Sequence, residues 1–290
     1  MKHARSIVRL GGLAVGLGVG AALAAVPWVA SAETFDPNNF AISIDGMTLF
    51  QEGTATATSG AGDFAIADGA GSNATATTGT FDFAIADGIN SDAEAGSSLL
   101  AGGGTGSDDI AIDIGNNNGS LLGAQAGADS NNIAIDFGDN TGSVDGALAI
   151  LGNNDTAIQI GDNTGTASGA GAFEGNNDTA ITVGNNVNSG LSETFGGGAQ
   201  ATLGNNDTAI QIGNNTGDGT VSPFGFGPIA GGANDLPGSN DFAAVFGNND
   251  TALAGLPGDH DLALAFGDML TALATGGDGL TAIEPSFLMP

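Results

Sequence analysis

Cysteine and tyrosine are absent from the 290 residues, and the single tryptophan is Trp28. A chain without cysteine has no disulfide bonds, no thiol chemistry and no zinc site built on cysteine. Lysine and arginine occur only at Lys2, Arg5 and Arg9, whereas all 32 acidic residues lie further along the chain. Because proteins bind nucleic acids through cationic side chains, this distribution excludes a nucleic acid partner.

The N-terminal 32 residues have the organisation of a secretory signal peptide. The three basic residues form a positive segment, Leu10–Val29 is almost entirely apolar, and Ala30–Ala32 supplies small residues for a signal peptidase. We predict cleavage before Glu33, which leaves no basic residue and a net charge of −32. The alternative is an uncleaved anchor, since about 20 apolar residues span a bilayer. The sequence thus predicts a secreted or cell-envelope protein, with no membrane span after cleavage.

A six-residue segment with the pattern Phe/Ile/Thr-Ala-Ile-x-x-Gly recurs along the chain. Seven clear copies begin at Phe64, Phe83, Ile110, Ile133, Thr156, Thr179 and Thr208, and looser copies begin at Phe242, Thr251 and Leu262. Neighbouring clear copies start 19 to 29 residues apart, and three of the six spacings are 23. Such a period fits one coil of a solenoid.

Within each copy the residue types alternate as they do in a β-strand. Ile110, Ile112 and Ile114 share one face, and Ala111 and Asp113 share the other. We therefore predict an all-β protein, an irregular β-solenoid with about 19–29 residues per coil and Gly/Asn-rich turns, with Ile, Phe and Val side chains buried in its core. The 52 glycines favour the alternative, a chain that is partly disordered.

Composition shifts divide the chain into five segments. We predict a signal peptide at 1–32, an N-terminal cap at 33–52, a repeat solenoid at 53–220, a Pro/Gly-rich loop at 221–240, and degenerate repeats with a C-terminal cap at 241–290. A terminal repeat needs a cap because its outer face meets water. The last of these segments ends in either a final coil or a short helical cap within Asp261–Ala274.

Asparagine recurs in the turn that follows each strand. The aligned residues are Asn90, Asn117, Asn140, Asn163, Asn186 and Asn215. Asparagine tolerates the left-handed backbone conformation of sharp turns, and stacked Asn side chains form hydrogen-bonded ladders. We predict such a ladder along these turns.

An acidic residue stands directly before most copies of the repeat. The column contains Asp63, Asp82, Asp109, Asp155, Asp178, Asp207 and Asp250, with Asn132, Asp241 and Asp261 in equivalent positions. In a stacked solenoid these carboxylates lie about 4.8 Å apart with no basic side chain between them. An external Ca²⁺ ion would relieve this repulsion, since it takes oxygen ligands. The alternative is that each Asp caps its own turn and stays solvated.

The segment Gly152–Ile158 resembles the calcium-binding repeat of RTX β-rolls, although its glycine and its apolar residue lie three positions from Asp155 instead of two. That resemblance implies a Ca²⁺-dependent extracellular binding module. Another alternative is a carbohydrate-active β-helix enzyme, which uses paired groove carboxylates. Because the chain after cleavage has no Arg, Trp or Tyr to hold a sugar, we expect no enzymatic activity.

Gly-x-Asn-x-Gly pentads, such as Gly115–Gly119 and Gly138–Gly142, accompany the Phe-Ala-Ile-Ala-Asp-Gly copies. Over residues 53 to 280 the chain is similar to the exported Gly/Ala/Asn-rich repeat proteins of mycobacteria, the repeat regions of PE-PGRS and PPE-MPTR proteins, without their helical N-terminal domain. The resemblance implies a secreted or envelope-associated protein without known catalysis. We expect a structural or interaction protein whose partner is a protein or glycan at the cell surface.

Overall fold

The computed structural model describes residues 36–96, 106–118, 123–141, 146–164, 169–185, 187, 198–202, 204–214, 229–231, 238–248, 251–255, 258–268 and 270–285. The chain separates into two units, Met1–Ala32 and Glu33–Pro290, and everything described lies in the second. The predicted signal peptide and three predicted turn or column residues, Asn186, Asn215 and Asp250, lie outside the described residues.

The described residues form β-strands joined by turns. The strands are β1 Phe40–Ile44, β2 Met47–Glu52, β3 Thr56–Ser59, β4 Phe64–Asp68, β5 Asn73–Ala76, β6 Phe83–Asp87, β7 Asp92–Gly96, β8 Ile110–Ile114, β9 Ala124–Gly127, β10 Ile133–Phe137, β11 Ala147–Ile150, β12 Thr156–Ile160, β13 Ala170–Phe173, β14 Thr179–Val183, β15 Ala199–Thr202, β16 Thr208–Ile212, β17 Ile229–Gly231, β18 Gly238–Ser239, β19 Phe242–Asn248, β20 Thr251–Ala254, β21 Gly258–Asp259, β22 Leu262–Asp268, β23 Thr271–Ala274 and β24 Thr281–Pro285. The part of the chain that the structure describes contains no helix, and therefore none that could cross a membrane.

Two stacks of strands make up the solenoid. Sheet A has twelve strands in the order β2-β1-β4-β6-β8-β10-β12-β14-β16-β19-β22-β24, and sheet B has ten in the order β23-β20-β17-β15-β13-β11-β9-β7-β5-β3. From β4 onward the strands of sheet A are parallel and in register, so that Ile135 pairs with Ile158 and Ile158 with Ile181. The predicted all-β solenoid is confirmed.

The N-terminal segment forms an antiparallel hairpin at one end of sheet A. β1 pairs antiparallel with β2 and also with β4, and Asp45 and Gly46 make the turn between the two strands. An antiparallel pair covers the edge of the first parallel strand, which would otherwise expose unpaired backbone groups. The hairpin lies where the sequence predicts a cap.

The core of the solenoid consists of alanine. A single cluster of buried alanines, with Val245, contains residues from both sheets, and Ala65, Ala111, Ala157 and Ala209 have no exposed surface. The expectation that Ile, Phe and Val fill the core is therefore wrong, because, with the exception of Val245, these side chains of sheet A point outward. The alternation was read correctly, but alternation alone does not say which face is inside. The second residue of every sheet A strand from β4 to β22 is an alanine with no exposed surface, whereas the fourth position accepts larger side chains such as Val245.

The turn that leads into each strand of sheet A has one residue in the left-handed conformation. Its φ lies between 61° and 66° in Phe81, Asp108, Asn131, Asn154, Asn177, Asn206, Asn240 and His260. Asparagine, aspartate and glycine adopt this conformation at low cost, whereas a bulky side chain is strained in it. Phe81 is the exception, and its ring is 71% exposed, so no packing compensates for the strain.

Replacing Phe81 with asparagine is expected to stabilise the protein. A left-handed residue costs about 1–2 kcal/mol for most side chains, so F81N should raise the free energy of unfolding by about 1 kcal/mol. Thermal unfolding followed by circular dichroism measures the change. The matched control is Asn154→Phe at the equivalent turn, which should lower stability by a similar amount. An F81N protein that unfolds at or below the wild-type temperature would show that Phe81 is unstrained.

The C-terminal part continues both sheets. The looser copy at Thr251 forms β20 of sheet B, not a strand of sheet A, because here each coil places its second repeat-like segment in the other sheet. Asp261–Ala274 contributes β22 and β23, so the helical alternative for this segment is wrong. Within 221–240, the segment predicted as a loop, Ile229–Gly231 pairs with β15 and β20 as a strand of sheet B.

Candidate functional site

The acidic column forms a continuous ladder inside the turns that lead into sheet A. In coil after coil, the backbone N–H of one member donates to the side-chain Oδ1 of the member before it, at 2.8 to 3.0 Å. The N–H of Leu280 donates to the last member at 2.7 Å. This Asp ladder consists of Asp63, Asp82, Asp109, Asn132, Asp155, Asp178, Asp207, Asp241 and Asp261, all of them at most 2% exposed.

The ladder brings together six of the seven residues predicted as a calcium column and buries them. Asp250, the seventh, lies outside the described residues, and the strand that follows it belongs to sheet B. The alternative in which each Asp caps its own turn and stays solvated is wrong, because these side chains bond to the next coil away from water. Buried main-chain N–H groups need acceptors, and the Asp side chain supplies one in every coil.

The second oxygen of each ladder carboxyl has no hydrogen-bond donor. The Oδ2 atoms of Asp63, Asp82, Asp109, Asp155, Asp178, Asp207, Asp241 and Asp261 are all buried without a partner. Each Oδ2 of Asp155 and Asp178 lies against a glycine three residues earlier, where any side chain would collide with it. Since the three basic residues all precede Glu33, no described side chain is a lysine or arginine that could neutralise the ladder.

Asn132 shows which chemistry this position accepts. Its Oδ1 accepts the N–H of Asp155 at 3.0 Å, as an Asp does elsewhere in the ladder. Its Nδ2 donates to the carbonyl oxygens of Asp129 at 3.1 Å and Gly127 at 3.5 Å. The second side-chain atom therefore faces acceptors. A protonated carboxyl group has the same pattern, one acceptor and one donor, as this carboxamide.

Burial strongly favours the protonated form of the ladder carboxyls. Removal from water raises the pKa of Asp109 and Asp207 to about 8, that of Asp82 and Asp155 to about 7, and that of Asp178 and Asp241 to about 6. The backbone N–H bonds lower each pKa in part, and neighbouring carboxyls raise it further in most of the ladder. Burial also raises the pKa of Asp63. At pH 7 these values leave Asp109 and Asp207 mostly protonated and Asp82 and Asp155 about half protonated.

These features do not fit a calcium ion. Calcium needs six to eight oxygen ligands, whereas here one oxygen of each carboxyl is already bonded to a backbone N–H and the other is packed against glycine. The amide Nδ2 of Asn132 is a donor and cannot ligate a cation. Within the described ranges no three His, Cys, Asp or Glu side chains are grouped so that they could hold a metal. The calcium column stays a prediction, and measurements of thermal unfolding with EGTA and with Ca²⁺ test it.

A second buried polar column was missed in the sequence. The fourth residue of the sheet A strands points inward and is Asp113, Asp136, Gln159, Thr182 or Gln211 in successive coils. Asp113 accepts the Ser91 hydroxyl at 2.7 Å and the Asp92 N–H at 2.8 Å, and Thr182 donates to the Gly169 carbonyl oxygen at 2.7 Å. These bonds tie sheet A to the segments leading into sheet B. The available signal was a polar residue on the same strand face as alanine.

The turns after the sheet A strands carry a solvent-facing ladder, one residue earlier than predicted. Each backbone N–H donates to the side-chain oxygen of the next coil at 2.8 to 3.1 Å. Its members are Asn116, Asp139, Asp162, Asn185, Asn214, Asn248 and Asp268. Of the predicted residues, Asn117, Asn140 and Asn163 are buried and pair through their backbones, and Asn90 has a left-handed φ of 55°.

The outer surface of sheet A is lined by large apolar side chains. In the ten parallel strands from β4 to β24, the first, third and fifth residues point outward, and we call this surface the apolar face. Its central column contains Ile66, Ile85, Ile112, Ile135, Ile158, Ile181, Ile210, Ala244, Leu264 and Ile283. Phenylalanines stack at both ends, with ring centroids 5.2 Å apart for Phe64 and Phe83 and 5.1 Å apart for Phe246 and Phe266.

Sheet B has no comparable surface among its central strands. The residues of β9, β11 and β15 are buried on both faces, including the polar side chains Gln125 and Gln200. Gln125 donates to Glu94 at 2.7 Å. The two sides of the solenoid therefore differ, and only sheet A offers a long open apolar surface in the described part.

Comparison with known proteins identifies no relative: no family model, no curated protein and no solved structure matches this chain.

Proposed function

We propose that this chain is a non-enzymatic, exported structural or interaction protein that binds its partner through the apolar face of sheet A. The single observation that carries the proposal is the inverted placement of side chains, with alanine inside and Ile, Phe, Leu and Val outside. Extended apolar patches on protein surfaces are typical of interaction sites. Here the patch follows from the repeat itself, because every copy adds the same outward residues.

The chemistry of the chain also limits its partner. After cleavage at the predicted site no lysine or arginine remains, so recognition of nucleic acid or another polyanion is excluded. Contacts through the apolar face depend on buried apolar area, and the adjacent turn ladder of Asn and Asp offers hydrogen bonds at the rim. A protein or a glycan at the cell surface has both kinds of group. The N-terminal signal sequence supports a secreted or cell-envelope location.

Catalysis by the acidic residues of the repeat is disfavoured by their burial. The ladder carboxyls are at most 2% exposed, so they are out of reach of a polysaccharide at the surface. His260 is the exposed left-handed residue of a turn. Both groups have a structural explanation.

The test compares two variants of the purified full chain on an octyl-coated biosensor surface. The face variant carries I158T, I181T and I210T, which keep β-branched side chains in the central column. The control variant carries L273T, which removes a 53% exposed leucine from sheet B. We expect the face variant to bind the octyl surface at least tenfold more weakly and the control to bind as the wild type does. Equal binding by all three proteins would overturn the apolar face as the binding surface. Antibody labelling of intact cells tests the surface location separately.

A further inference from the structure

We propose that the partner of the apolar face is a second copy of this chain, so that two solenoids pack face to face through sheet A. This inference rests on the function proposed above and names the partner of the same surface. Three properties of the face carry it: its freedom from charge, its repetition and its area.

The apolar face is almost free of ionisable groups, although the chain as a whole is strongly acidic. Among the first, third and fifth residues of the ten parallel strands, only Asp68 and Asp87 are ionisable, and both lie in the first two strands; Asp268 is the exposed last residue of the longer strand β22. From β8 to β22 the outward residues are Ile, Phe, Val, Leu, Ala and Thr. Over the strands from β8 to β22, two acidic copies can therefore meet without burying an unpaired charge, which is the main obstacle to self-association elsewhere on the surface.

The face repeats itself at the spacing of the strands. The paired residues of successive coils are identical or similar, as Ile112, Ile135 and Ile158 are in the central column. Such a surface presents the same row at every step of about 4.8 Å, so a copy turned through a two-fold axis meets a matching set of rows. Symmetric dimers need a self-complementary patch of this kind.

The area is that of a stable interface. Ten strands at about 4.8 Å and five residues at about 3.3 Å cover about 800 Å², and the seven strands from β8 to β22 account for about 550 Å² of it. A specific protein–protein interface buries about 800 Å² on each partner. The apolar face thus has the size that a dimer of this chain requires, and stacking one sheet on another is an established way to cover it.

The absence of cysteine makes a direct test possible. β12 and β14 are the fifth and sixth of the ten parallel strands, so Ile158 and Ile181 lie near the centre of the face, where a two-fold axis would bring the two copies together. Full chains carrying I158C or I181C are treated with a short bismaleimide, and L273C on sheet B is the matched control. Sedimentation velocity of the wild type over a hundredfold concentration range gives the oligomeric state.

We expect a wild-type dimer, a covalent dimer from I158C and I181C, and none from L273C. The I158T, I181T and I210T variant should dissociate at a concentration at least tenfold above that of the wild type while it keeps its circular dichroism spectrum. A wild-type monomer at all concentrations overturns the proposal, as does a dimer that cross-links only through L273C. If the wild type is monomeric and the face variant still loses octyl binding, the dimer fails while the proposed function stands.

Discussion

Thermal unfolding of this protein is expected at its highest temperature near pH 4 and at steadily lower temperatures as the pH is raised to 8. Folding raises the pKa of six ladder carboxyls from an ordinary value of 3.8 to between about 6 and about 8, namely those of Asp82, Asp109, Asp155, Asp178, Asp207 and Asp241. In that window the folded chain binds more protons than the unfolded chain, so the free energy of unfolding falls as pH rises. The stability is fully present below pH 4 and is lost as the pH passes the pKa values of the folded protein.

The groups around the ladder act in the same direction. The charges that reach its carboxyls come mainly from other aspartates, namely Asp45, Asp108, Asp129 and Asp259, and His260 beside Asp241 is the one group that opposes them. Asp36 and Asp268 have a lowered pKa from hydrogen bonds, but they are exposed at the surface and contribute little. One pKa unit corresponds to about 1.4 kcal/mol, so the rise from 3.8 to about 8 in a single carboxyl such as Asp109 already corresponds to a loss on the order of 5 kcal/mol between pH 4 and pH 8.

Two substitutions distinguish the effect of the ladder on the pH dependence of stability from the effect of every other titrating group. Asn132→Asp adds a ninth carboxyl in the register of the ladder, so it should leave stability at pH 4 unchanged and lower it at pH 8. Asp155→Asn copies the carboxamide that Asn132 already places there, so it should raise stability at pH 8 and make the pH dependence shallower. Equal pH dependence in the wild type and both variants would contradict a protonated ladder.

Calcium binding by the ladder would give a different result when thermal unfolding is measured. Unfolding temperatures at pH 8 are measured with EGTA and with millimolar Ca²⁺, and a ladder whose carboxyls bond to backbone N–H groups and hold no metal predicts that they agree. A large rise with Ca²⁺ in the wild type, absent from D155N, would instead establish the calcium column predicted from the sequence. The test requires no mutation that removes a core residue, so a failure to fold does not confuse the result.

The second large effect is a loss of stability when a larger apolar side chain is placed in the alanine core, although larger apolar residues inside a protein usually stabilise it. Ala157→Leu is expected to cost about 3 kcal/mol, because overpacked cores are strained and Ala157 is fully buried in a core built of alanine. Ile158→Ala, one residue away on the outer face, is expected to cost about 1 kcal/mol or less when measured at dilution that dissociates the dimer. Urea unfolding of both variants gives the two values, and a larger loss from I158A than from A157L would overturn the alanine core.

Part of this structure could be predicted from the repeat. The spacing of the copies and the alternation within Ile110–Ile114 indicate stacked strands, and the sheets have this architecture. Which face of each strand lies inside could not be predicted, since the alternation is the same for both faces. The rule that the larger apolar residues are buried gives the wrong face here. The small size of Ala111 and Ala157 shows which face of the strand is buried only once the two sheets are packed together.

The acidic column was located correctly but its surroundings were not predicted. Charge without a cation suggested either solvation or metal binding, whereas a third state, the neutral acid, follows only from the burial of Asp109 and Asp155 by the turns. Asn132 can be seen in the sequence. It is the one member of the ladder whose side chain carries an amide donor, which disfavours a metal ion at this position. The signal that was missed is this asparagine, because its side chain accepts the same backbone hydrogen bond as an aspartate does elsewhere in the ladder.

The strands of sheet A from β8 to β14 start at intervals of 23 residues, and each pairs only with its two neighbours in the sheet. A duplication or loss of one such unit would preserve every remaining contact, since contacts in a stacked array are local. Each unit lengthens the molecule by about 4.8 Å and enlarges the apolar face by about 80 Å². Genetic change in repeat number would therefore adjust binding strength in steps without the invention of a new fold.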